Sequence, residues 1–437
     1  MVKRPISDSD LWIIRKSSLP IPPNFLTMED QIMLEAIVKR VAGLDVHKMV
    51  IVVTVLLTQE NGETLKETKE FGTFRKHRRQ LARWLKRYGI ELAVMESTGI
   101  FWKSIFETLE TACIKTYVVN ARHVKNVPGR KTDVMDSEWL ATLARAGLLK
   151  PSFIPPKDLR ELRLIGRHRM KLHGMLAGEK NRLHKILDDA GIRLGGVVSD
   201  INGVSAKEMV AGLIEDKPVE ELVLCARGRL KAKEQELYDS LSESISERHR
   251  FLLHKIQSHI QHLEQEIQDM DDYLFAAMTP YQEQWGILQT LPGVDRFSAA
   301  MLLIEIGTDM EQFGSPGQLA SWAGMCPGNN ESAGKRKSGR ARKGNGSVRR
   351  VLCEVANAAR KTNSQFKGKY QGLVIRRGHK RTIIAVGHKI LRVVYAMLKN
   401  NQPYWDPGID YEALTVKRNA PRWLRALGKY GYLPAQA

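Results

Sequence analysis

The chain has 437 residues, enough for two or three domains with cores of their own, and its 68 Lys and Arg outnumber 48 Asp and Glu to leave a net charge of +20. A surplus of that size points to a polyanionic partner, nucleic acid first among them. No run of about 18 apolar residues is present to cross a bilayer, and Cys113, Cys225, Cys326 and Cys353 form no CxxC pair, which speaks against a zinc site or a disulfide framework and for a reducing cytoplasm.

Residues 1–36 carry Pro and Ser clusters such as SSLPIPPN without periodicity and are expected to be an N-terminal extension; MVKRPISDSDLWIIRKSS lacks the apolar core of a signal peptide. From 37 to 155 the pattern changes. VAGLDVHK, MVIVVTVLL and TLKETKEFG read as strands, the last two joined by QENGE with its Asn-Gly turn signal. A basic amphipathic helix (TFRKHRRQLARWLKRYG), a buried strand (ELAVMES), a helix (GIFWKSIFETLETA), a strand (IKTYVVNA) and a helix opening at Asp133 follow. The order β-β-β-α-β-α-β-α implies a mixed sheet with helices on its faces.

Residues 156–280 read as long helices. Over 157–190, Arg160, Arg163 and Arg167 recur at i, i+3 and i+7, a basic stripe able to lie along phosphates or simply to be solvated. Over 228–275, Ile256, Ile260, Leu263, Ile267, Met270 and Leu274 alternate steps of four and three, a heptad-like seam. The two helices either close on each other or form a coiled-coil arm that dimerises, and the seam favours the arm.

In 281–402, LQTLPGVDRFSAAMLLIEIG resembles a helix-hairpin-helix, with Gly293 in a turn whose amides can cradle a phosphate. A Gly-rich loop follows, holding eight Lys or Arg against one Glu between 331 and 350, and then helices over 348–360 and 380–399. Residues 403–437 form a tail containing Trp and Tyr.

In KTDVMDSEWL, Asp133 and Asp136 stand one helical turn apart. Thr132 can cap such a helix, and acids in a first turn complement its dipole. The stripe they begin continues into Leu140 and Leu143, so both carboxylates extend a core-facing row and need a counter-charge. Asp45 lies among apolar residues in the first strand, and Glu96 ends the strand ELAVMES. A mixed sheet can bring the ends of neighbouring central strands and the start of a packed helix to one edge. Asp45, Glu96, Asp133 and Asp136 are therefore expected around one cleft, where hard carboxylate oxygens suit Mg²⁺ or Mn²⁺ flanking a phosphodiester. Acids placed so on this strand order are the layout of the ribonuclease-H-like nucleases of RuvC type. The fold class expected is α/β plus all-α: a RuvC-type sheet, a helical insert and a helical C-terminal domain.

GLDVHK, ESTGIFW and KTDVMDSEWLATLARAGLL resemble the DEDD transposases of bacterial insertion sequences, which have the Piv-type DNA invertases as relatives. LPGVDRFSAAMLLIEIGTDMEQFGSPGQLASWAGMCPGNNESAGK resembles their C-terminal part, so the likeness covers roughly 40–150 and 285–400. It implies a DNA recombinase in which the four acids hold the metals and a serine forms a covalent phosphoserine link with DNA. That serine maps to Ser332, five residues after Pro327 and followed by Ala333, Gly334 and Lys335. The likeness further implies double-stranded DNA (element ends and target) and a structured noncoding guide RNA as partners, a homodimer or homotetramer, and a bacterial cytoplasmic, nucleoid-associated location. Apart from the resemblance, a serine on a Gly-rich loop among Lys335, Arg336, Lys337, Arg340, Arg342 and Lys343, with Arg349 and Arg350 beyond, is suited to face a phosphate. Two positions depart from the family's pattern. Met325-Cys326 replaces an aliphatic pair before Pro327, and Glu331 stands where a second serine is frequent, which leaves Ser332 with Ser338 as fallback.

Three other classes compete. A RuvC-like nuclease using metal-activated water would not need Ser332. An actin-like ATPase or sugar kinase would need Gly-rich phosphate motifs on strands, and the sequence offers none. An architectural DNA binder would have no use for the acids.

Overall fold

The computed structural model describes residues 37–432, except positions 60, 98, 121–123, 125–134, 329, 333, 339–340, 342 and 409–410. The expected extension (1–36), Asp133, Arg340 and Arg342 lie outside the described residues. The chain divides into two compact units, Met1–Ser152 and Phe153–Ala437.

The first unit is built on strands β1 (Arg40–Val46), β2 (Val50–Thr58), β3 (Thr64–Gly72), β4 (Leu92–Glu96) and β5 (Thr116–Val119), with helices α1 (Arg75–Arg87), α2 (Trp102–Thr111) and α3 (Asp136–Arg145). The sheet order is β3-β2-β1-β4-β5. The meander β1-β2-β3 is antiparallel, whereas β4 pairs parallel with β1 and β5 parallel with β4. That mixed order is the ribonuclease-H-like topology. Its sequence logic is plain: β1 and β4 are central, and Val41, Ala42, Leu44, Ala93, Val94 and Met95 are all fully buried. β3 lies at an edge and keeps Lys66, Lys69 and Glu70 exposed. Gly62, at φ +84°, supplies the turn of the β2–β3 hairpin.

Among its described residues the second unit is helical except for one small hairpin. It contains α4 (Lys157–Asp189), α5 (Leu194–Val197), α6 (Val204–Ile214), α7 (Val219–Leu224), α8 (Glu234–Leu241), α9 (Glu247–Ala277), α10 (Gln282–Gln289), α11 (Arg296–Ile306), α12 (Pro316–Trp322), strands β6 (Asn330–Ser332) and β7 (Lys335–Ser338), α13 (Gly346–Ala359), α14 (Gln365–Asn400) and α15 (Tyr411–Lys429).

The heptad seam packs within the chain. Ile256, Ile260, Leu263 and Ile267 of α9 are buried in one core with Leu172, Leu176, Leu183 and Leu187 of α4. The arm closes on itself because α4 carries a matching apolar stripe over a similar length, 33 residues against 31. Lys180–Glu264 and the two-pronged Arg169–Asp271 pair fasten its register. Nor is the arm a separate domain, since Leu159, Leu162, Met170 and Leu274 join the core of α10–α14. The helix expected from 228 begins instead at Glu247, where Ser246 caps the His249 amide. The last long helix starts earlier than the sequence pattern suggests and breaks at Gly378, φ 70° and ψ 167°.

Candidate active site

The acids of the first unit are gathered by strand register and helix direction. Leu44 pairs with Met95 across the parallel β1–β4 junction, so the next residues, Asp45 and Glu96, stand side by side at the strands' carboxyl ends. α3 crosses this sheet in the opposite sense to β1. At its C-terminal end the Arg145 carbonyl accepts from the amides of Ile37 and Val38, just before β1 starts (2.9 and 3.1 Å). At its N-terminal end the Ser137 carbonyl lies where a Gly43 side chain would be. Asp136, the first residue of α3, is thereby directed toward the Asp45 end of β1. Asp45 and Gly43 are two residues apart and share the covered face.

Two features lock this approach. The Cβ missing from Gly43 leaves room for the α3 backbone, since a side chain there would meet both the Ser137 carbonyl and the Ala141 amide. Buried hydroxyls then tie the helix to the sheet, Ser137 Oγ to Thr54 Oγ1 at 2.8 Å and Thr54 Oγ1 to Thr68 Oγ1 at 3.0 Å. The helix begins at Asp136 with Met135 as its N-cap, three residues later than expected. Asp136 and Glu138 fill its first turn, where acids complement the dipole.

Asp45 is 29% exposed, Glu96 is half-buried and Asp136 reaches solvent. His47 Nε2 lies 3.0 Å from Asp45 Oδ2, a contact the sequence reading missed although His47 follows in GLDVHK. Among the described residues, no three His, Cys, Asp or Glu side chains close into a ligand cage. The donor set, all carboxylate oxygens at an open edge, nevertheless fits Mg²⁺ or Mn²⁺. Such ions take one or two carboxylates, keep waters and accept substrate phosphate oxygens instead of filling an all-protein cage.

In the second unit Ser332 is the last residue of β6, opposite Lys335 of β7, with Arg336 opposite Glu331. Gly334 occupies the turn between them at φ +73°. The expected loop is thus a tight hairpin with Ser332 at its tip, Lys337 further along β7 and an exposed Lys343 beyond it. Its two ends meet at the base: Gly344 packs against the Ala323–Gly324 backbone so closely that no Cβ would fit. Arg349 donates to the Gly324 carbonyl at 2.6 Å.

Asn345 accepts from the amides of Ser347 and Val348 to cap α13, and its Nδ2 donates to Glu305 Oε2 at 2.7 Å. Glu305 is fully buried in α11. Arg167 grips its carboxylate with two bonds of 2.7 and 2.9 Å, and Arg163 lies 3.3 Å from it while donating to the Ile304 and Glu305 carbonyls. The bond to Glu305 raises the pKa of Arg167. Burial pushes that of Arg163 down to about 10, against the attraction of Glu305, so both stay cationic at neutral pH.

The basic stripe is therefore put to a different use from the expected one. Arg163 and Arg167 neutralise a buried acid, and Arg160 donates to the Pro155 carbonyl at 3.0 Å. Arg349 is likewise committed to the hairpin base. Gly293 also has a packing role: at φ +85° it lies against the backbone of Val355 and Ala359, where a Cβ would collide. Arg350 stays exposed and borders, with Gly293 and His173, a cleft of about 790 Å³.

Two family models match the chain. A DEDD transposase model of the IS110 type, described as "Transposase", covers residues 42–192, and the "Transposase IS116/IS110/IS902 family" model covers residues 286–371. The chain belongs to the DEDD transposases of insertion sequences. The matched spans take in the acidic edge and the serine hairpin of this transposase, and as a family member it is a DNA-recombining enzyme. No curated protein matches it. Among solved structures, Thermus thermophilus RuvC is similar at 14% identity and a TM-score of 0.20, covering 26% of this chain and 99% of its own. T. thermophilus RuvC in complex with a Holliday junction substrate is similar at 13% identity with the same coverage and TM-score. No helix among the described residues is long and apolar enough to cross a membrane.

Proposed function

We propose that this transposase cuts and rejoins double-stranded DNA through a phosphoserine intermediate on Ser332, at a phosphodiester held by divalent metal on Asp45, Glu96, Asp133 and Asp136. The observation that carries the reading is the meeting of the β1 end, the β4 end and the α3 start at one sheet edge, enforced by Gly43. In the first step the Ser332 Oγ–P bond forms, one P–O ester bond of the DNA breaks, the serine gives up its proton and the leaving sugar oxygen takes one. Bound at the edge, Mg²⁺ or Mn²⁺ would supply Lewis-acid stabilisation of the charge that develops on the phosphate oxygens. Lys335, Arg336, Lys337, Arg340, Arg342, Lys343 and Arg350 supply the cationic setting that holds the strand. Exchange of two duplexes calls for a dimer or tetramer. The family resemblance supports a structured noncoding RNA as guide, and the charge of +20 suits that partner as well as DNA.

A second reading, a RuvC-like nuclease acting through metal-activated water, draws on the fact that Asp45, Glu96 and Asp136 all belong to the first unit. Cleavage of labelled element-end DNA, with RNA transcribed from the element's flanks present, separates the two. The proposal expects Mg²⁺-dependent cleavage that EDTA, Asp136→Asn and Ser332→Ala each abolish. Cleavage that survives Ser332→Ala but not Asp136→Asn establishes the hydrolytic nuclease instead.

A further inference from the structure

Between Val355 and Trp405 the chain carries eleven Lys or Arg and no Asp or Glu. Most of this stretch is α14, whose elbow at Gly378 takes a backbone conformation open to little but glycine. The elbow folds the helix back on itself. Lys369 lies within electrostatic reach of Lys389 and Arg392, residues that a straight helix would carry about 30 Å away or more. Near the bend, the Tyr370 hydroxyl meets His379 Nδ1 at 2.9 Å and the Arg360 guanidinium covers the Tyr370 ring at 5.1 Å.

Across the notch between the two arms, Lys369 of the first comes near Lys389 and Arg392 of the second, with His388 beside them, all cationic or ionisable nitrogen groups. Lys369, His388 and Lys389 are half-buried and Arg392 is exposed. Burial first, then neighbouring Lys and Arg, lower the pKa of Lys369 and of His388, and no carboxylate offsets either. None of the four forms an ion pair with a described residue. The contrast with Arg163 and Arg167, which the same unit neutralises with a buried Glu, is direct. Like charges held together and left uncompensated raise the energy of the free protein, and an anion reverses that cost.

We propose that this notch, walled by Lys369, His388, Lys389 and Arg392, is a phosphodiester-binding site that seats the backbone of a nucleic acid strand. The proposal rests on the reading of the chain as a nucleic-acid enzyme and adds a contact remote in sequence from the serine hairpin. DNA and RNA share the phosphodiester, so the test carries one arm for each.

Fluorescence anisotropy of the full chain with a 30-base-pair duplex DNA, and separately with a structured RNA transcribed from the element's flanks, is measured across a salt series. Lys369→Gln and Arg392→Gln are compared with Arg193→Gln, a control at the exposed N-cap of α5. Each notch variant is expected to weaken binding about three- to tenfold and to lower the salt slope by about one. The nucleic acid that responds is the occupant. Without nucleic acid, Lys369→Gln is expected to melt at the same temperature as the wild type or higher, because it removes a repelled charge. Unchanged affinity and slope in both arms overturn the notch while leaving the recombinase reading intact. A wild-type chain that binds neither nucleic acid overturns both. A melting temperature several degrees lower in Lys369→Gln, with unchanged binding by Arg392→Gln, makes Lys369 structural and also overturns the proposal.

Discussion

Asp45 and Glu305 are both carboxylates set in apolar stretches, and the two units of the molecule treat them in opposite ways. Glu305 has no exposed surface and is enclosed by Arg163, Arg167 and Asn345. Asp45 ends up at an accessible strand end, where its short contact is with His47 of the adjoining turn. A buried charge that finds every partner inside the fold is spent on holding that fold together. An acid left accessible beside Glu96 is placed to meet a partner outside the chain, as the proposed metal site requires. The cationic notch on α14 follows the same logic with the sign reversed.

Substitutions can break or sharpen this contrast. The largest effect is expected at the accessible acid. Asp45→Asn should cut DNA cleavage roughly a thousandfold, about 4 kcal/mol in barrier, while the urea unfolding midpoint stays where it was. If unfolding suffers as much as cleavage, Asp45 is structural and the contrast fails. Glu305→Ala should do the reverse in origin: it strands two guanidinium groups and costs on the order of 3 kcal/mol of stability, measured by urea denaturation. A Glu305→Ala protein as stable as the wild type would show that the network carries no weight.

Gly43→Ala sharpens the comparison by moving the acids without touching them. Its Cβ meets backbone, which cannot swing aside, so about 2 kcal/mol of stability should be lost together with most cleavage, because α3 and Asp136 are pushed off β1. Normal cleavage kinetics in this variant would deny that the close approach positions the site. The smallest effect is expected at Ser137→Ala, which leaves the buried Thr54 hydroxyl with one partner fewer and should cost about 1 kcal/mol in the same denaturation assay.

Much of the first unit was legible because its signals are local. Apolar runs in β1 and β4, the Asn-Gly turn and acids at strand ends are enough to order the sheet and to predict its acidic edge. The start of α3 was not. Asp133 and Asp136 share a helical face only if the helix opens before Asp133, whereas the extended Met135 fixes its start at Asp136. In the second unit the decisive partners are far apart in sequence. The stripe of Arg160, Arg163 and Arg167 has the spacing of a phosphate track, and nothing beside it shows that its acid lies 142 residues on from Arg163. One signal was available: Glu305 is the lone charge in the apolar run AAMLLIEIG, and a carboxylate so placed needs cations from elsewhere. The α9 seam misleads in the same way until the leucines of α4 are counted as its partner. Ala333-Gly334, two residues between short strands, marks the serine hairpin inside what reads as a basic loop.

The most direct test of the central claim is to trap and map the protein–DNA link. The transposase is mixed with Mg²⁺, element-end DNA and the flank-derived RNA, then denatured and digested, and the nucleotide-bearing peptide is identified by mass spectrometry. A phosphodiester-linked nucleotide on Ser332, absent from Ser332→Ala and from Asp45→Asn, is the expected result. Cleaved DNA with no linked peptide, or a link on Ser338 that persists in Ser332→Ala, would contradict it.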